Sequence, residues 1–285
     1  MSRIAYVNGS YLRHAEASVH IEDRGYQFSD GVYEVCGVRG GQLMDEDMHL
    51  ERLQRSLKEL RIAMPMALPA LRHVLREVVR RNRIQNGMVY FQVTRGVAPR
   101  DHPFPPAGTR PAIVVTAKRL NETRVAASVE KGVAVITMPD QRWARRDIKS
   151  VSLLANILAK QAAREVGAYE AWLVDKDGFV TEGSSTNAWI VDKDGRVVTR
   201  ALSSDILPGV TRRVLLEAAK REGIEIVERP FTVEEARTAR EAFISASSAI
   251  IIPVVRIDET SIGNGAPGSV TMRLRQAYAA SGQLS

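Results

Sequence analysis

Apolar residues recur along the chain with the spacings that strands and helices require. Over residues 4–45 short apolar runs alternate with Asn-Gly and Gly-Gly turn signals, which predicts an antiparallel sheet. Asp45 can cap the helix that follows it, whose leucines at helical spacing are Leu50, Leu53, Leu57 and Leu60. An arginine-rich helix over 72–83 and strands at 88–94 and 112–117 complete a predicted α+β unit.

The rest of the chain shows strands and helices in mixed order behind a short polar segment. That segment, residues 119–123, is predicted to be a linker. Strands are predicted near 133–137, 171–174, 180–181, 187–191, 197–199, 224–227, 242–245 and 250–257. Helices are predicted over 152–166, after Pro208-Gly209, after Thr232 as a cap, and over 269–280. We therefore expect a small domain over 1–118 and a large one over 124–285.

Composition narrows the class of protein. A chain of 285 residues with 45% hydrophobic residues has ample material for a packed core. No apolar run reaches the length of about 18 residues that a membrane-spanning helix needs. The first residues enter a strand directly, without the long apolar segment of a secretory signal. Cys36 is the single cysteine, so no internal disulfide can form and we expect a cytoplasmic protein.

The net charge of +7 permits nucleic-acid binding but is weak support for it. In the helix over 72–83 the arginines lie mostly opposite the apolar face, as on a solvated surface. A non-catalytic protein that binds nucleic acid or other anions would show salt-dependent oligonucleotide binding, but no recognised nucleic-acid module is present. A net positive charge also suits an enzyme whose cofactor and substrates are anionic.

Two Asp-Lys-Asp-Gly runs, at 175–178 and 192–195, resemble the start of a calcium loop. The further ligands, the later glycine and the closing glutamate of an EF-hand are missing from the required positions. Each run lies between strand-like segments and is predicted to be a hairpin turn. We predict no metal site.

Three motifs carry the candidate chemistry. Lys149 lies in Arg-Arg-Asp-Ile-Lys-Ser, between a polar strand end and an apolar helix pattern, where a side chain can point into a cleft. Glu182 opens the run Glu-Gly-Ser-Ser-Thr-Asn, and Tyr33 lies in Asp-Arg-Gly-Tyr-Gln-Phe-Ser-Asp-Gly-Val-Tyr-Glu. Taken alone, a lysine is usually a surface charge, and a glutamate in such a run is usually an exposed turn carboxylate. The three motifs together are a more specific indication of function than any one of them.

Together the three motifs resemble the fold-type IV (class IV) pyridoxal-phosphate-dependent aminotransferases, over residues 4 to 275. The resemblance implies an α+β fold with a smaller N-terminal α/β sandwich, a larger mixed, barrel-like C-terminal domain, and pyridoxal 5'-phosphate in the cleft. It further implies that Lys149 binds the cofactor aldehyde as a Schiff base and then transfers a proton as base and acid. Glu182 would pair with the protonated ring nitrogen.

The resemblance also implies a set of phosphate contacts. Val210 and Thr211 would donate backbone amides at the start of the helix after Pro208-Gly209, since helix N-termini attract anions, and Thr211 would also donate its hydroxyl. Arg52 falls away from the apolar stripe of its helix, as a solvated arginine would, but it matches the phosphate-binding arginine of the family. Ser247 would add a hydroxyl, but the surrounding Ser-Ala-Ser-Ser departs from the threonine-rich version expected there.

Within the family the chain looks most like a D-amino-acid aminotransferase. Arg100 and His102, in a proline-rich loop, resemble that enzyme's substrate-carboxylate trap, completed by Tyr33. The resemblance implies a homodimer in which Arg100 and His102 reach the neighbouring active site. It also implies ping-pong transfer of an amino group from D-alanine or D-glutamate to 2-oxoglutarate or pyruvate.

Alternatives with the same fold and cofactor are a branched-chain L-amino-acid aminotransferase, an R-selective amine transaminase and an aminodeoxychorismate lyase. Arg100 and His102 argue against these, because the trap would not be expected in them. Trp172 and Trp189 could narrow the substrate pocket or could pack in the core.

Overall fold

The computed structural model describes residues 3–280, which form two compact units. The first contains residues 3–120 and also Ile148–Ser152, and the second contains Asn121–Asp147 and residues 153–280. Both combine β-sheet with helices, so the α+β class predicted from the sequence is confirmed.

The first unit is built on a six-stranded antiparallel sheet in the order β2-β1-β6-β5-β3-β4. Helices α2 and α3 pack on it. In chain order its elements are β1 (Ile4–Val7), β2 (Ser10–Arg13), α1 (Arg24–Phe28), β3 (Gly31–Arg39), β4 (Gln42–Leu43), α2 (Glu46–Glu59), α3 (Leu68–Arg81), β5 (Gly87–Thr94) and β6 (Ala112–Arg119).

Strand β3 has one face towards the core and one face away from it. Val32, Glu34 and Cys36 alternate along it and are fully buried, whereas Tyr33 and Val35 between them are only half-buried. Side chains of a strand alternate between the two faces, so Glu34 enters the core while Tyr33 faces away from it. A carboxylate in this inward row needs a charged partner.

Helix α2 buries the predicted leucine stripe, but its predicted cap is wrong. Leu50, Leu53 and Leu57 are buried. Asp45 precedes the helix in a left-handed conformation, with φ 52° and ψ 33°, and its side chain makes no capping hydrogen bond. A side-chain cap requires extended backbone at that position, which explains the difference.

The arginine-rich helix, α3, has the solvated face that its pattern predicts. Leu71, Leu75 and Val78 are buried. Arg80 and Arg81 lie on the outer side and both pair with Glu77, at 2.7 Å each. These arginines already have carboxylate partners, so the helix offers less positive charge to a nucleic acid than its composition suggests.

The second unit is built on a nine-stranded mixed sheet in the order β12-β11-β10-β13-β14-β7-β8-β9, with β15 beside β14. The pairs β7–β8, β7–β14 and β11–β12 are parallel, and the other pairs are antiparallel. Its elements are α4 (Glu122–Lys131), β7 (Val133–Pro139), α5 (Leu154–Glu165), β8 (Glu170–Val174), β9 (Val180–Gly183), β10 (Asn187–Val191), β11 (Val197–Thr199), α6 (Val210–Arg221), β12 (Ile226–Glu228), α7 (Val233–Arg237), β13 (Glu241–Ala246), β14 (Ile250–Ile257), β15 (Thr260–Ser261) and α8 (Ser269–Ala280).

The segment predicted to be a linker, 119–123, mostly belongs to regular structure. Strand β6 runs to Arg119, and α4, which the pattern does not predict, begins at Glu122. The polar residues there form a helix start, because the Asn121 side chain accepts a hydrogen bond from the amide of Arg124 at 3.0 Å. Only Val129 of α4 is buried, which leaves too little apolar periodicity to predict the helix.

Other features of the second unit follow the sequence pattern. Thr232 and Glu235 form a capping box at α7. Both Asp-Lys-Asp-Gly runs are hairpin turns, between β8 and β9 and between β10 and β11. Trp172 and Trp189 are fully buried, as core residues. Among residues 3–280, no helix is both long and apolar enough to span a bilayer.

Candidate active site

In the first unit the segment around Lys149 pairs with the start of β3. Ser150 bridges to Val32, the amide of Tyr33 donates to the carbonyl of Lys149 at 3.0 Å, and the amide of Val151 donates to Gly31 at 3.0 Å. The amide of Lys149 also reaches the Ser56 hydroxyl at 3.4 Å. The backbone on both sides of Lys149 is therefore fixed against the sheet.

This pairing brings two of the predicted site residues together. The Nζ atom of Lys149 lies 4.3 Å from the centroid of the Tyr33 ring, close enough for a cation–π contact. Tyr33 in turn stacks on Tyr90, with 5.6 Å between ring centroids. Burial, and then the neighbouring Tyr33, raises the pKa of Tyr90 to about 12, so Tyr90 stays protonated at neutral pH.

Arg52 is buried rather than solvated, and Glu34 holds it. The Nε and Nη2 atoms of Arg52 donate to the two carboxylate oxygens of Glu34, each at 2.8 Å. His49 Nδ1 lies 2.8 Å from one of the same oxygens. Burial alone would raise the pKa of Glu34, but the charge of Arg52 and the hydrogen bonds from Arg52 and His49 lower it to about 2. The carboxylate therefore stays ionised and fixes the direction of the guanidinium.

Arg100 and His102 lie in the loop after β5 and are exposed in this chain. Both face the ring of Phe28, the guanidinium carbon at 5.0 Å and the imidazole at 5.6 Å from its centroid. In the described residues no hydrogen bond, ion pair or ring contact joins either of them to Lys149 or Tyr33.

In the second unit the carboxylate of Glu182 is buried and accepts hydrogen bonds from side chains and from the backbone. Arg142 Nη1 donates to it at 2.5 Å, Asn187 Nδ2 at 2.9 Å and the amide of Leu207 at 3.1 Å. Asp140 fixes Arg142 through bonds of 2.9 and 2.7 Å to Nε and Nη2. Burial would lower the pKa of Arg142, but the hydrogen bond to Asp140 and the charges of Glu182 and Asp140 raise it. Glu182 is thus held in one orientation as an anion.

Asn187 connects Glu182 with the N-terminus of α6. Its Nδ2 also donates to the carbonyl of Leu207, at 3.2 Å. A Cβ atom on Gly209, the residue before α6, would lie 2.2 Å from Asn187 Oδ1, so only glycine fits there without displacing the amide. Gly209 brings no side chain to the helix start, and Val210 and Thr211, both buried, follow it directly.

Ser247 lies in the turn between β13 and β14. Strand β13 pairs with β10 in a register that places Ser245 opposite Asn187. The turn with Ser247 therefore follows directly on the end of β13 that lies beside Asn187.

The hydroxyl groups of the run Glu-Gly-Ser-Ser-Thr-Asn serve to fix the backbone of that run. Ser184 and Ser185 donate to the buried carboxylate of Glu170, the latter at 2.8 Å. Lys160 Nζ lies 3.2 Å from the same carboxylate. The segment between Glu182 and Asn187 is thus tied to β8 and α5.

A family model for the class IV amino-transferases matches residues 31–257. The chain belongs to this family. It is 40% identical over 273 residues to a D-alanine aminotransferase of Staphylococcus haemolyticus, covering 96% of this chain and 95% of that protein. A D-alanine aminotransferase of Bacillus licheniformis is 41% identical over 270 residues, covering 95% of this chain and 94% of that protein.

Solved structures of class IV enzymes share the fold over nearly the whole chain. A branched-chain amino acid aminotransferase of Escherichia coli superposes with a TM-score of 0.90 at 26% identity, over 98% of this chain and 94% of that one. A branched-chain amino acid aminotransferase of T.th., solved with pyridoxamine 5'-phosphate, gives a TM-score of 0.88 at 27% identity, over 98% and 93%. The predicted fold type is confirmed, and this class IV aminotransferase depends on pyridoxal phosphate.

Each unit, taken by itself, contains groups whose chemistry suits a part of that cofactor. The uncapped amides at the start of α6 and the guanidinium of Arg52 suit a phosphate. The anchored carboxylate of Glu182 suits a protonated ring nitrogen, and the primary amine of Lys149 suits an aldehyde.

Several residues that orient the candidate site residues within each unit were not predicted. Glu34 and His49 orient Arg52, Arg142 and Asp140 orient Glu182, and Asn187 was part of a motif but had no assigned role. The sequence gives one indication of the role of Glu34, because it is a carboxylate in the inward row of an otherwise apolar strand. It gives no indication that Arg142 pairs with Glu182, because 40 residues separate the two.

Proposed function

We propose that this enzyme transfers an amino group from a D-amino acid, D-alanine or D-glutamate, to pyruvate or 2-oxoglutarate by a ping-pong mechanism. The observation that carries this choice of substrate is the similarity, at 40–41% identity over about 95% of the chain, to D-alanine aminotransferases. The structural neighbours named for branched-chain amino acids are only 26–27% identical.

Lys149 is the proposed catalytic residue. Its amine would hold the cofactor through the aldehyde group. Once free, the amine would remove the proton from the substrate Cα as a base and would later return a proton as an acid. The contact with the Tyr33 ring, at 4.3 Å, limits the positions that this amine can take. When bound, the cofactor supplies the electron sink for the charge left on Cα.

Glu182 is proposed to keep the ring nitrogen of the cofactor protonated. Two unit charges about 4 Å apart interact by roughly 4 kcal/mol at an effective dielectric constant near 20. The bonds from Arg142, Asn187 and Leu207 support this role, since they hold the carboxylate as an anion in one orientation.

Four residues are proposed to bind the phosphate. Val210 and Thr211 donate backbone amides from the start of α6, where the helix dipole also favours an anion. Arg52 contributes a positive charge in the direction that Glu34 sets. Ser247 contributes a hydroxyl from the turn after β13.

Arg100, His102 and Tyr33 are proposed to bind the substrate carboxylate. An arginine fork recognises a carboxylate through two parallel hydrogen bonds.

We propose that Arg100 and His102 act in the neighbouring active site of a homodimer, which accounts for their exposure in a single chain. A dimer would also cover apolar side chains that are exposed here, among them Ile21 and Tyr26 on the first unit and Leu154 and Leu158 on the second.

A cytoplasmic location is proposed because Cys36 is the single cysteine, which leaves the chain without an internal disulfide.

The second candidate function is transamination of branched-chain L-amino acids, which the TM-score of 0.90 to such an enzyme favours. The two functions differ in the handedness of the substrate.

The test is a titration of the purified, cofactor-loaded enzyme with D-alanine, L-alanine and L-leucine, followed by its visible spectrum. D-alanine alone should convert the aldehyde form of the cofactor to the amine form, and pyruvate should reverse the change. Conversion by L-leucine but not by D-alanine would contradict the proposal in favour of the second candidate. No visible chromophore at all would contradict both.

A further inference from the structure

Arg24, at the start of α1, is bound to the loop that carries Arg100 and His102. It is buried, with only 4% of its side chain exposed. Its Nη1 donates to the carbonyl oxygen of Asp101 at 2.6 Å, and its Nη2 donates to that of His102 at 3.3 Å. One guanidinium therefore holds two consecutive peptide groups of this loop.

Asp30 fixes the other side of Arg24. Its carboxylate accepts from Arg24 Nε at 2.9 Å, and from Arg95 Nε and Nη2 at 2.7 and 2.9 Å. Arg95 also donates to the carbonyl oxygens of Leu60 and Arg61, at the end of α2. Burial would raise the pKa of Asp30, but the two arginines lower it, so the carboxylate remains charged between them.

Phe28, at the far end of α1, contacts the guanidinium groups of both Arg24 and Arg100. The guanidinium carbon of Arg24 is 4.7 Å from its ring centroid and that of Arg100 is 5.0 Å away. The His102 ring lies 5.6 Å from the same centroid. The backbone of the loop thus rests on Arg24, and its two functional side chains rest on Phe28.

Helix α1 is itself locked to the sheet, so it is a fixed support. Asp23 caps it by accepting from the amide of Gly25 at 2.8 Å, and it accepts from the Thr94 hydroxyl at 3.0 Å. A Cβ atom on Gly25 would lie 2.2 Å from Thr94 Cγ2, so only glycine allows this approach. The amide of Arg24 also donates to the carbonyl of Gly96, at 2.9 Å.

We infer that Arg24, held by Asp30 and Phe28, is a positioning residue that sets the place of Arg100 and His102 and so determines the affinity for the substrate carboxylate. This rests on the proposed function, in which Arg100 and His102 bind that carboxylate. It assigns the Asp-Arg-Gly-Tyr-Gln-Phe-Ser-Asp run to substrate recognition, although none of these side chains needs to touch the substrate.

The test compares cofactor-loaded Arg24→Met, Arg24→Lys and Phe28→Leu with wild type and with Arg13→Met. Arg13 is a matched control, since it is an exposed arginine of the same unit with 69% of its side chain accessible. KM for D-alanine should rise about tenfold or more in Arg24→Met, because displacements near 1 Å already cost large factors. The change in kcat should stay within about twofold, because Arg24 does not reach the reacting atoms. Phe28→Leu should raise KM as well, and Arg13→Met should leave it unchanged.

Amide hydrogen exchange gives a readout that needs no turnover. Peptides over residues 97–104 should exchange faster in Arg24→Met than in wild type or Arg13→Met, while peptides over 210–221 should not change. If Arg24→Met does not yield folded enzyme, Arg24→Lys and Phe28→Leu decide by the same two measurements.

Arg100→Ala, measured in parallel, separates failure of the inference from failure of the proposed function. A raised KM in Arg100→Ala with wild-type KM and wild-type exchange in the Arg24 and Phe28 variants overturns the inference alone. Unchanged KM for D-alanine in Arg100→Ala contradicts the proposed carboxylate site, and the inference with it. The expected result is a raised KM in Arg100→Ala and in the Arg24 and Phe28 variants, together with faster exchange of the loop in the Arg24 and Phe28 variants.

Discussion

Glu34 and Arg52 form a bidentate ion pair inside the first unit, with both oxygen–nitrogen distances at 2.8 Å. A buried pair of this kind is strongly destabilised when one partner is lost, since the other charge then has no counterion. Truncation of such a pair typically costs about 3–5 kcal/mol. We expect Glu34→Ala to lower the free energy of unfolding in urea by that amount, whereas the exposed Glu16→Ala should leave it nearly unchanged. A loss in Glu34→Ala no larger than that in Glu16→Ala would contradict this account of the pair.

The same pair predicts how stability depends on pH. The pKa of Glu34 is lowered from 4.5 to about 2 in the folded protein. A carboxyl group with a lowered folded pKa stabilises the protein above its unfolded pKa, and this stabilisation is lost as the pH falls from 4.5 towards 2. The loss amounts to about 3 kcal/mol. It should be visible as the difference between the pH–stability curves of wild type and Glu34→Gln, and parallel curves would contradict it.

Glu182→Gln should keep the protein folded and able to bind cofactor, but should slow the proton transfer at the substrate Cα. A neutral amide cannot hold the ring nitrogen as a cation, and a loss of about 3 kcal/mol corresponds to roughly a hundredfold lower kcat. Single-turnover rates with D-alanine are the measurement. Unaltered rates would return Glu182 to a purely structural role.

Gly209→Ala tests the link between Glu182 and the N-terminus of α6. The added methyl group would meet Asn187 Oδ1 at 2.2 Å, and Asn187 would have to leave the bond to Glu182 that it makes at 2.9 Å. We expect the affinity for pyridoxal phosphate to fall about tenfold, the equivalent of one lost charge-assisted hydrogen bond. Gly223→Ala, at a glycine with open space around it but with φ +66°, is a control for the backbone effect of an added methyl group. Equal cofactor affinity in both variants would contradict the link.

Arg100→Ala should reduce kcat/KM for D-alanine by about ten- to a hundredfold, as expected when a charged hydrogen-bond donor to a carboxylate is removed. D-alaninamide has the same side chain and no carboxylate, so its rate should not depend on Arg100. Equal losses for both compounds would indicate a general disturbance of the enzyme rather than a lost carboxylate contact.

The sequence predicted the elements whose stabilising contacts are local and periodic. The leucine stripe of α2, the Thr232 cap of α7 and the bounds of α8 at Ser269–Ala280 all follow from spacing within a few turns. The left-handed conformation of Asp45 could not be predicted from residue spacing, because an aspartate at this position does not require it. Helix α4 has one buried residue, Val129, and so gives no periodic signal.

The contacts that orient the site residues were hidden for a different reason. Arg24 lies 77 residues from Asp101, and Arg142 lies 40 residues from Glu182. Arginines and carboxylates are common on surfaces, so their pairing is visible only when the fold has brought them together. Motif similarity therefore identified the candidate residues, whereas the groups that hold them are apparent only from the fold.

We expect the side-chain amine of Lys149 to bind the cofactor covalently, and the other proposed roles depend on this bond. Borohydride reduction of the cofactor-loaded enzyme, followed by peptide mapping, locates the bond. We expect one phosphopyridoxyl group per chain, attached to Lys149, and none in Lys149→Ala. Attachment at Lys160 or any other lysine, or no attachment in wild type, would contradict it.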